Sequence, residues 1–248
     1  MKLRTICLAV FFVAVASLIF LNGSLAAVVE SAEPELSDDL LYIDPTDMSQ
    51  YYAMGEYYPP NEINTINVDW QGGRVEIIAY NGADYFVEEA ATRYLQENER
   101  LSYVLQDQTF NIMFLGDDSV SIDDAYKKLE IRIPRTILES LESIDINTNG
   151  EVVMKNITAR QISVTGTHGE VRFTDTYSPD TKISSADGDV KLTVGNDVGY
   201  SVDFRSKSGI MESYVNNGMD SYVSGDGEYN YVVNTKSGNL NVSLDIDD

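Results

Sequence analysis

The chain has 248 residues, of which 40 are Asp or Glu and 17 are Lys or Arg, giving a formal net charge of -23. That charge argues against a nucleic-acid partner, whose phosphates need a basic surface. One Cys and one His leave no material for a disulfide framework, a Cys cluster or a multi-His zinc site. At 43% hydrophobic and 23% charged, the composition is that of a folded globular chain of one or two domains.

Lys2 and Arg4 precede an apolar run from Ile6 to Leu21, and Ser24-Leu25-Ala26 fits the small-x-small rule of signal peptidase. Read on through to Val29, the segment is long enough to cross a bilayer, which takes about 20 residues. Residues 1–26 are therefore a signal peptide or an uncleaved membrane anchor. Either one exports the remainder of the chain, since the positive end stays in the cytoplasm. Cys7 opens the apolar run instead of following it, which argues against lipid attachment. Residues 27–61, acidic and rich in Pro and Tyr, read as a spacer closed by Pro59-Pro60. The sharper alternative is a ligand strip made of Tyr42, Tyr51, Tyr52, Tyr57 and Tyr58.

Residues 62–248 read as an all-β domain. Ile66, Val68 and Trp70 alternate before Gln71-Gly72-Gly73, and Val75, Ile77 and Ala79 alternate after it, with the period of two that strands require. Glu88–Leu95 has good helix formers. The alternation of Leu101, Tyr103, Leu105, Phe110, Ile112 and Phe114 nevertheless favours strands throughout. Leu129, Ile131 and Ile133 form a further strand that Pro134 ends.

The rest of the chain repeats itself. Gly150, Gly169, Gly188, Gly209 and Gly238 are separated by 19, 19, 21 and 29 residues. Two positions after each stands Val152, Val171, Val190, Met211 or Leu240. Val164, Ile183, Phe204 and Val233 stand five before four of them, and the first unit is slipped by one, with Ile144 and Ile146 six and four before Gly150. Each unit is strand, polar turn, strand, with Gly supplying the positive φ of the turn. Such units cannot bury their own apolar faces, so they stack into a β-helix-like solenoid. The last unit must carry extra structure around Asn216–Tyr231. The strands before Pro134 would cover one open end, and the acidic tail Asp245–Asp248 would protect the other by charge.

Ile66-Asn-Val68, Gly73-Arg-Val75-Glu-Ile77 and Leu129-Glu-Ile-Arg-Ile-Pro134 resemble the opening of an exported bacterial β-strand repeat family. The turns Thr148-Asn-Gly150-Glu-Val152, Ala186-Asp-Gly188-Asp-Val190 and Lys236-Ser-Gly238-Asn-Leu240 are similar to its recurring turn. It is the toastrack, or "putative adhesin", family, and the resemblance covers roughly residues 63–244. The resemblance implies an extracytoplasmic domain at the cell envelope, tethered or secreted, and no catalytic residues.

Phosphate loops, dinucleotide fingerprints and a nucleophile elbow are absent from the sequence. His168, the sole histidine, stands at a turn tip where nothing is expected to bury or orient it. Glu151, Glu170 and Asp189 follow the first three repeat glycines and would stack as one column, with Asp187 beside it. Oxygen ligands at rung spacing are the material of a calcium site. Arg172 and Lys191, two residues further along their strands, offer an alternative as neutralising cross-strand partners.

These features point to a non-enzymatic envelope domain that acts by binding a wall polymer or surface partner, with no cofactor. Its expected binding surface is the row of polar turn residues Asn149, His168, Asp187, Ser208 and Ser237, framed by the turn glycines from Gly73 to Gly238. Two other classes stay open: a membrane-anchored sensor of envelope stress, and a polysaccharide-acting β-helix enzyme using a carboxylate pair.

Overall fold

The computed structural model describes residues 52–60, 63–95, 99–114, 127–166, 168–214 and 220–245. The expected signal or anchor segment 1–26 with Cys7, the expected spacer as far as Tyr51, and residues 246–248 lie outside the described residues. Among the described residues, no helix is long and apolar enough to cross a membrane.

Eighteen strands among the described residues form two nine-stranded sheets. The repeating element is a pair of strands joined by a polar turn, one strand in each sheet. The pair β2 (Thr65–Trp70) and β3 (Arg74–Tyr80) follows β1 (Tyr52–Tyr58) in the chain. After β4 (Tyr85–Ala91) and β5 (Ser102–Gln106) come β6 (Thr109–Phe114) and β7 (Lys127–Pro134). Pro134 does end its strand, and a 3-10 turn over Arg135–Ser140 leads into the regular pairs. These are β8 (Ser143–Thr148) with β9 (Glu151–Lys155), β10 (Gln161–Gly166) with β11 (Val171–Thr174), and β12 (Asp180–Ser185) with β13 (Val190–Gly195). Finally come β14 (Tyr200–Ser206) with β15 (Met211–Ser213), the short β16 (Ser221–Ser224), and β17 (Tyr229–Thr235) with β18 (Leu240–Asp245).

The predicted apolar columns exist. Phe204, Val233, Ile183, Val164, Ile146, Val68 and Ile112 stand side by side across seven parallel strands of one sheet. Met211, Leu240, Val190, Val171, Val152, Val75 and Leu129 do the same in the other. All fourteen are buried between the sheets, where each contributes about 1.5–3 kcal/mol. The slip of the first unit is real: Val164 pairs with Ile146, so the turn before Gly150 is one residue shorter than its neighbours.

The rungs are not stacked in chain order. The pair β17–β18 inserts between β12–β13 and β14–β15, and β6–β7 lies outside β2–β3. The Asp245 end of the chain therefore belongs to an inner rung. The outer edge at that end is instead β16, antiparallel to β14, together with the three-residue β15. At the opposite end, β4 and β1 extend one sheet and β5 the other, all antiparallel, as expected for strands that cover an end. One local expectation changes and another holds. Tyr52–Tyr58, assigned to the spacer, is a strand of the sheet. Glu88–Ala91 is strand despite its helix propensity, because β4 is held between β1 and β7.

The glycines serve a different purpose from the one expected. Positive φ occurs at Gly73, Gly225 and Gly227, and not at Gly150, Gly169, Gly188, Gly209 or Gly238. A Cβ on Gly188 would lie 1.9 Å from the carbonyl oxygen of Gly169, and one on Gly169 2.0 Å from that of Gly150. The contacts continue from Gly150 to Gly73, from Gly238 to Gly188 and from Gly209 to Gly238. The turns thus stack backbone on backbone, too close for any side chain. Hydroxyls close the turns locally: Ser185 and Thr235 donate to the carbonyls of Gly188 and Gly238 at 3.1 and 2.7 Å.

Lys127 takes the place of a glycine on the outermost rung, its carbonyl oxygen 2.0 Å from the position of a Gly73 Cβ. Its side chain is 1% exposed. The ammonium lies over the Trp70 and Phe114 rings and pairs with Glu89 at 2.5 Å. Burial pulls its pKa down to about 8, against the opposing pull of Glu89.

Candidate functional site

The strands of the second sheet, β16-β14-β17-β12-β10-β8-β2-β6-β5, turn apolar residues inward; outward stand mostly short polar ones, with the exposed Lys182 on β12 and Arg205 on β14 paired to Asp180 and Asp203. Around β2 the outward residues form rows perpendicular to the strands. One row runs Asn111, Asn67, Asp145, Ser163, and the next Met113, Asp69, Asn147, Thr165. Together they line a shallow depression of about 340 Å³, and no Lys or Arg is among its lining residues.

The pairing has a checkerboard character. Asn67 lies directly opposite Asp145, and two residues along, Asp69 lies opposite Asn147. Asn147 donates to Asp69 at 3.0 Å, Asn67 donates to Asn111 at 2.9 Å, and Ser143 donates to Asp145 at 2.6 Å. Each contact uses one donor and one oxygen. The second oxygen of each carboxylate and the Asn111 amide N–H groups keep hydrogen-bonding capacity. No ion pair to Asp69 or Asp145 occurs among the described residues.

The turn row borders this face, since each turn leaves the C-terminal end of one of its strands. In space the order is Asn149, His168, Asp187, Ser237, Ser208, because the last two rungs are exchanged. Three of the five meet: His168 Nδ1 lies 2.8 Å from one Asp187 oxygen, and the Ser237 hydroxyl donates to the other at 2.9 Å. The Ser237 and His168 contacts hold the Asp187 carboxyl below the usual range. His168 is exposed, as expected, but it is oriented, contrary to expectation, by a carboxylate on the next rung. The hydroxyl engages the carboxylate and not the imidazole, so these three residues do not form a Ser-His-Asp relay. Ser208 donates to the Lys236 carbonyl at 3.4 Å.

Two members of the acidic column next to the turns are already engaged. Glu170 pairs with Lys191 at 2.5 Å and with Arg172, the two neutralising residues expected from sequence. Asp189 accepts the Asn239 backbone N–H at 2.7 Å, and Glu151 faces Arg74 in register. Among the described residues, no group of three or more His, Cys, Asp or Glu is placed to hold a metal ion.

The outer face of the other sheet carries long charged side chains. Glu76 meets Lys128 at 2.7 Å, Lys155 at 3.1 Å and Arg74 at 3.6 Å, and Glu130 meets Lys128 at 2.7 Å and Arg132 at 2.5 Å. Burial works to raise the Glu76 and Glu130 carboxyls. The Lys128 hydrogen bonds and neighbouring cations overcome it and hold both below the ordinary value.

Sequence reasoning missed Asn67, Asp69, Asn111, Asp145 and Asn147. The available signal was that outward positions between Ile and Val hold Asn, Asp, Ser and Thr on four strands, where a solvated face usually mixes in Lys and Glu.

No curated protein matches the chain. A "putative cell adhesion protein" from Clostridium sporogenes ATCC 15579 superposes with a TM-score of 0.60 at 14% identity, over 79% of this chain and 100% of its own. A "putative adhesin" from Bacteroides fragilis NCTC 9343 matches with a TM-score of 0.39 at 12% identity, over 81% of this chain and 99% of its own. The first likeness shows a shared fold. Residues 63–194 and 146–243, well over half of the chain, match the model of the Toastrack DUF4097 family, and the chain belongs to that family.

Proposed function

We propose that this chain is a non-enzymatic, extracytoplasmic β-repeat module that works by binding at the bacterial envelope. Its binding surface is the outer face around β2, with the turn row Asn149, His168, Asp187, Ser237 and Ser208 as its rim. The observation that carries the reading is the depression beside Asn67, Asp69, Asn111, Asp145 and Asn147, where polar groups keep unused hydrogen-bonding capacity. A rigid sheet presents such groups at fixed spacing, so a repeating partner is met without reordering the protein. Export rests on the apolar run that follows Lys2 and Arg4.

The test is co-sedimentation of the purified protein with isolated bacterial envelope material at physiological salt. A bulky side chain on the face blocks any ligand whatever its chemistry, so Thr165→Arg should abolish retention, while Glu212→Arg on the other sheet should leave it intact. Retention unaffected by Thr165→Arg would remove this face from the reading.

A further inference from the structure

The geometry points to a neutral, hydroxyl-rich glycan chain as the ligand of this face, an inference that rests on the binding role proposed above. A sugar hydroxyl donates one hydrogen bond and accepts others, so it is best met by an acceptor and a donor side by side. The checkerboard supplies that combination twice. Asn67 with Asp145, and Asp69 with Asn147, each set an amide beside a carboxylate on neighbouring strands.

Charge narrows the class. With a net charge of -23 and no cation lining the depression, an anionic polymer would be repelled; Lys182, beside Ser163 on the next strand, is already paired with Asp180. A cationic ligand would gain from the carboxylates but would leave the amide N–H groups of Asn111 and Asn147 facing its own donors. A neutral polyol uses both kinds of group. The rows cross strands spaced about 4.8 Å apart, close to the advance per residue of an extended glycan, so successive sugars would meet successive rungs. The chain would then run along the stack, from β6 across β2 and β8 to β10.

The experiment titrates the purified protein with soluble neutral polysaccharides (glucans, mannans, galactans and N-acetylglucosamine oligomers), with polygalacturonate as the anionic control. At least one neutral glycan should bind equally well at about 0.15 M and at about 1 M salt, because no charge is screened in the contact. The isosteric double variant Asp69→Asn/Asp145→Asn removes the carboxylate acceptors while preserving shape, and should weaken that binding at least about tenfold. Thr165→Arg should abolish it. Binding by none of the neutral glycans, or binding unchanged in the double variant, would overturn the inference. If Thr165→Arg still abolished envelope retention in that case, the face would stand as the binding surface and only the ligand class would fall. Competition by an extended peptide alone would likewise spare the face and overturn the ligand class.

Discussion

The two outer faces of the stack are built on the same strand pairs and have opposite chemistry. On one, Glu76, Lys128, Glu130, Arg132 and Lys155 are long, oppositely charged and paired with one another. On the other, Asn67, Asp69, Asn111, Asp145 and Asn147 are short, and their mutual contacts leave donors and acceptors over. A face whose charges satisfy one another gains little from a ligand. A face of unused amides and carboxylates is dry only at a cost, which a partner with matching groups removes. On the binding role proposed above, the difference separates structure from function on two surfaces that share one backbone geometry.

The contrast can be broken at several depths. The stack beneath both faces should fail first: Gly188→Ala places a Cβ 1.9 Å from a neighbouring backbone oxygen. It should cost about 3 kcal/mol or more in a denaturant titration, since the obstructing atoms are backbone. A mild effect would mean that the turns separate easily. Glu76→Gln should come next, at about 2 kcal/mol, because it leaves the buried Lys128 with Glu130 as its remaining carboxylate.

Acid sharpens the same point. The Glu76 and Glu130 carboxyls titrate lower in the folded protein than in the unfolded chain, where the ordinary value is about 4.3. Their contribution is therefore complete above that pH and is lost as the pH falls below it. Circular dichroism against pH should show stability declining there in the wild type, with a shallower decline in Glu76→Gln. Smallest of all should be Asp69→Asn/Asp145→Asn, within about 0.5 kcal/mol of wild type, since neither carboxylate holds an ion pair. A large loss of stability in that variant would make the two faces alike, both structural.

The rows show why sequence reading reached the fold more readily than the site. Val164, Ile183 and Val233 declare their column through a local period, because a strand alternates its side chains whatever it pairs with. The site needs Asn147 beside Asp69, 78 residues away, and Asn67 beside Asn111, 44 residues away. His168 looked unsupported for the same reason, its partner Asp187 being one rung off. The turn row itself was visible because each member precedes a glycine.

By itself, the sequence determined the all-β class, the inward columns, the recurring turns and the strand that Pro134 ends. Each of these follows from spacing within one unit, where neighbours along the chain impose the constraint. Tertiary structure decided the order of the rungs, with β17–β18 inserted inside β14–β15 and β6–β7 outside β2–β3. It also decided that the repeat glycines relieve contact between stacked backbones and do not supply positive φ. Both outcomes depend on which strand lies across the sheet, a choice made by packing and register between residues far apart in the chain.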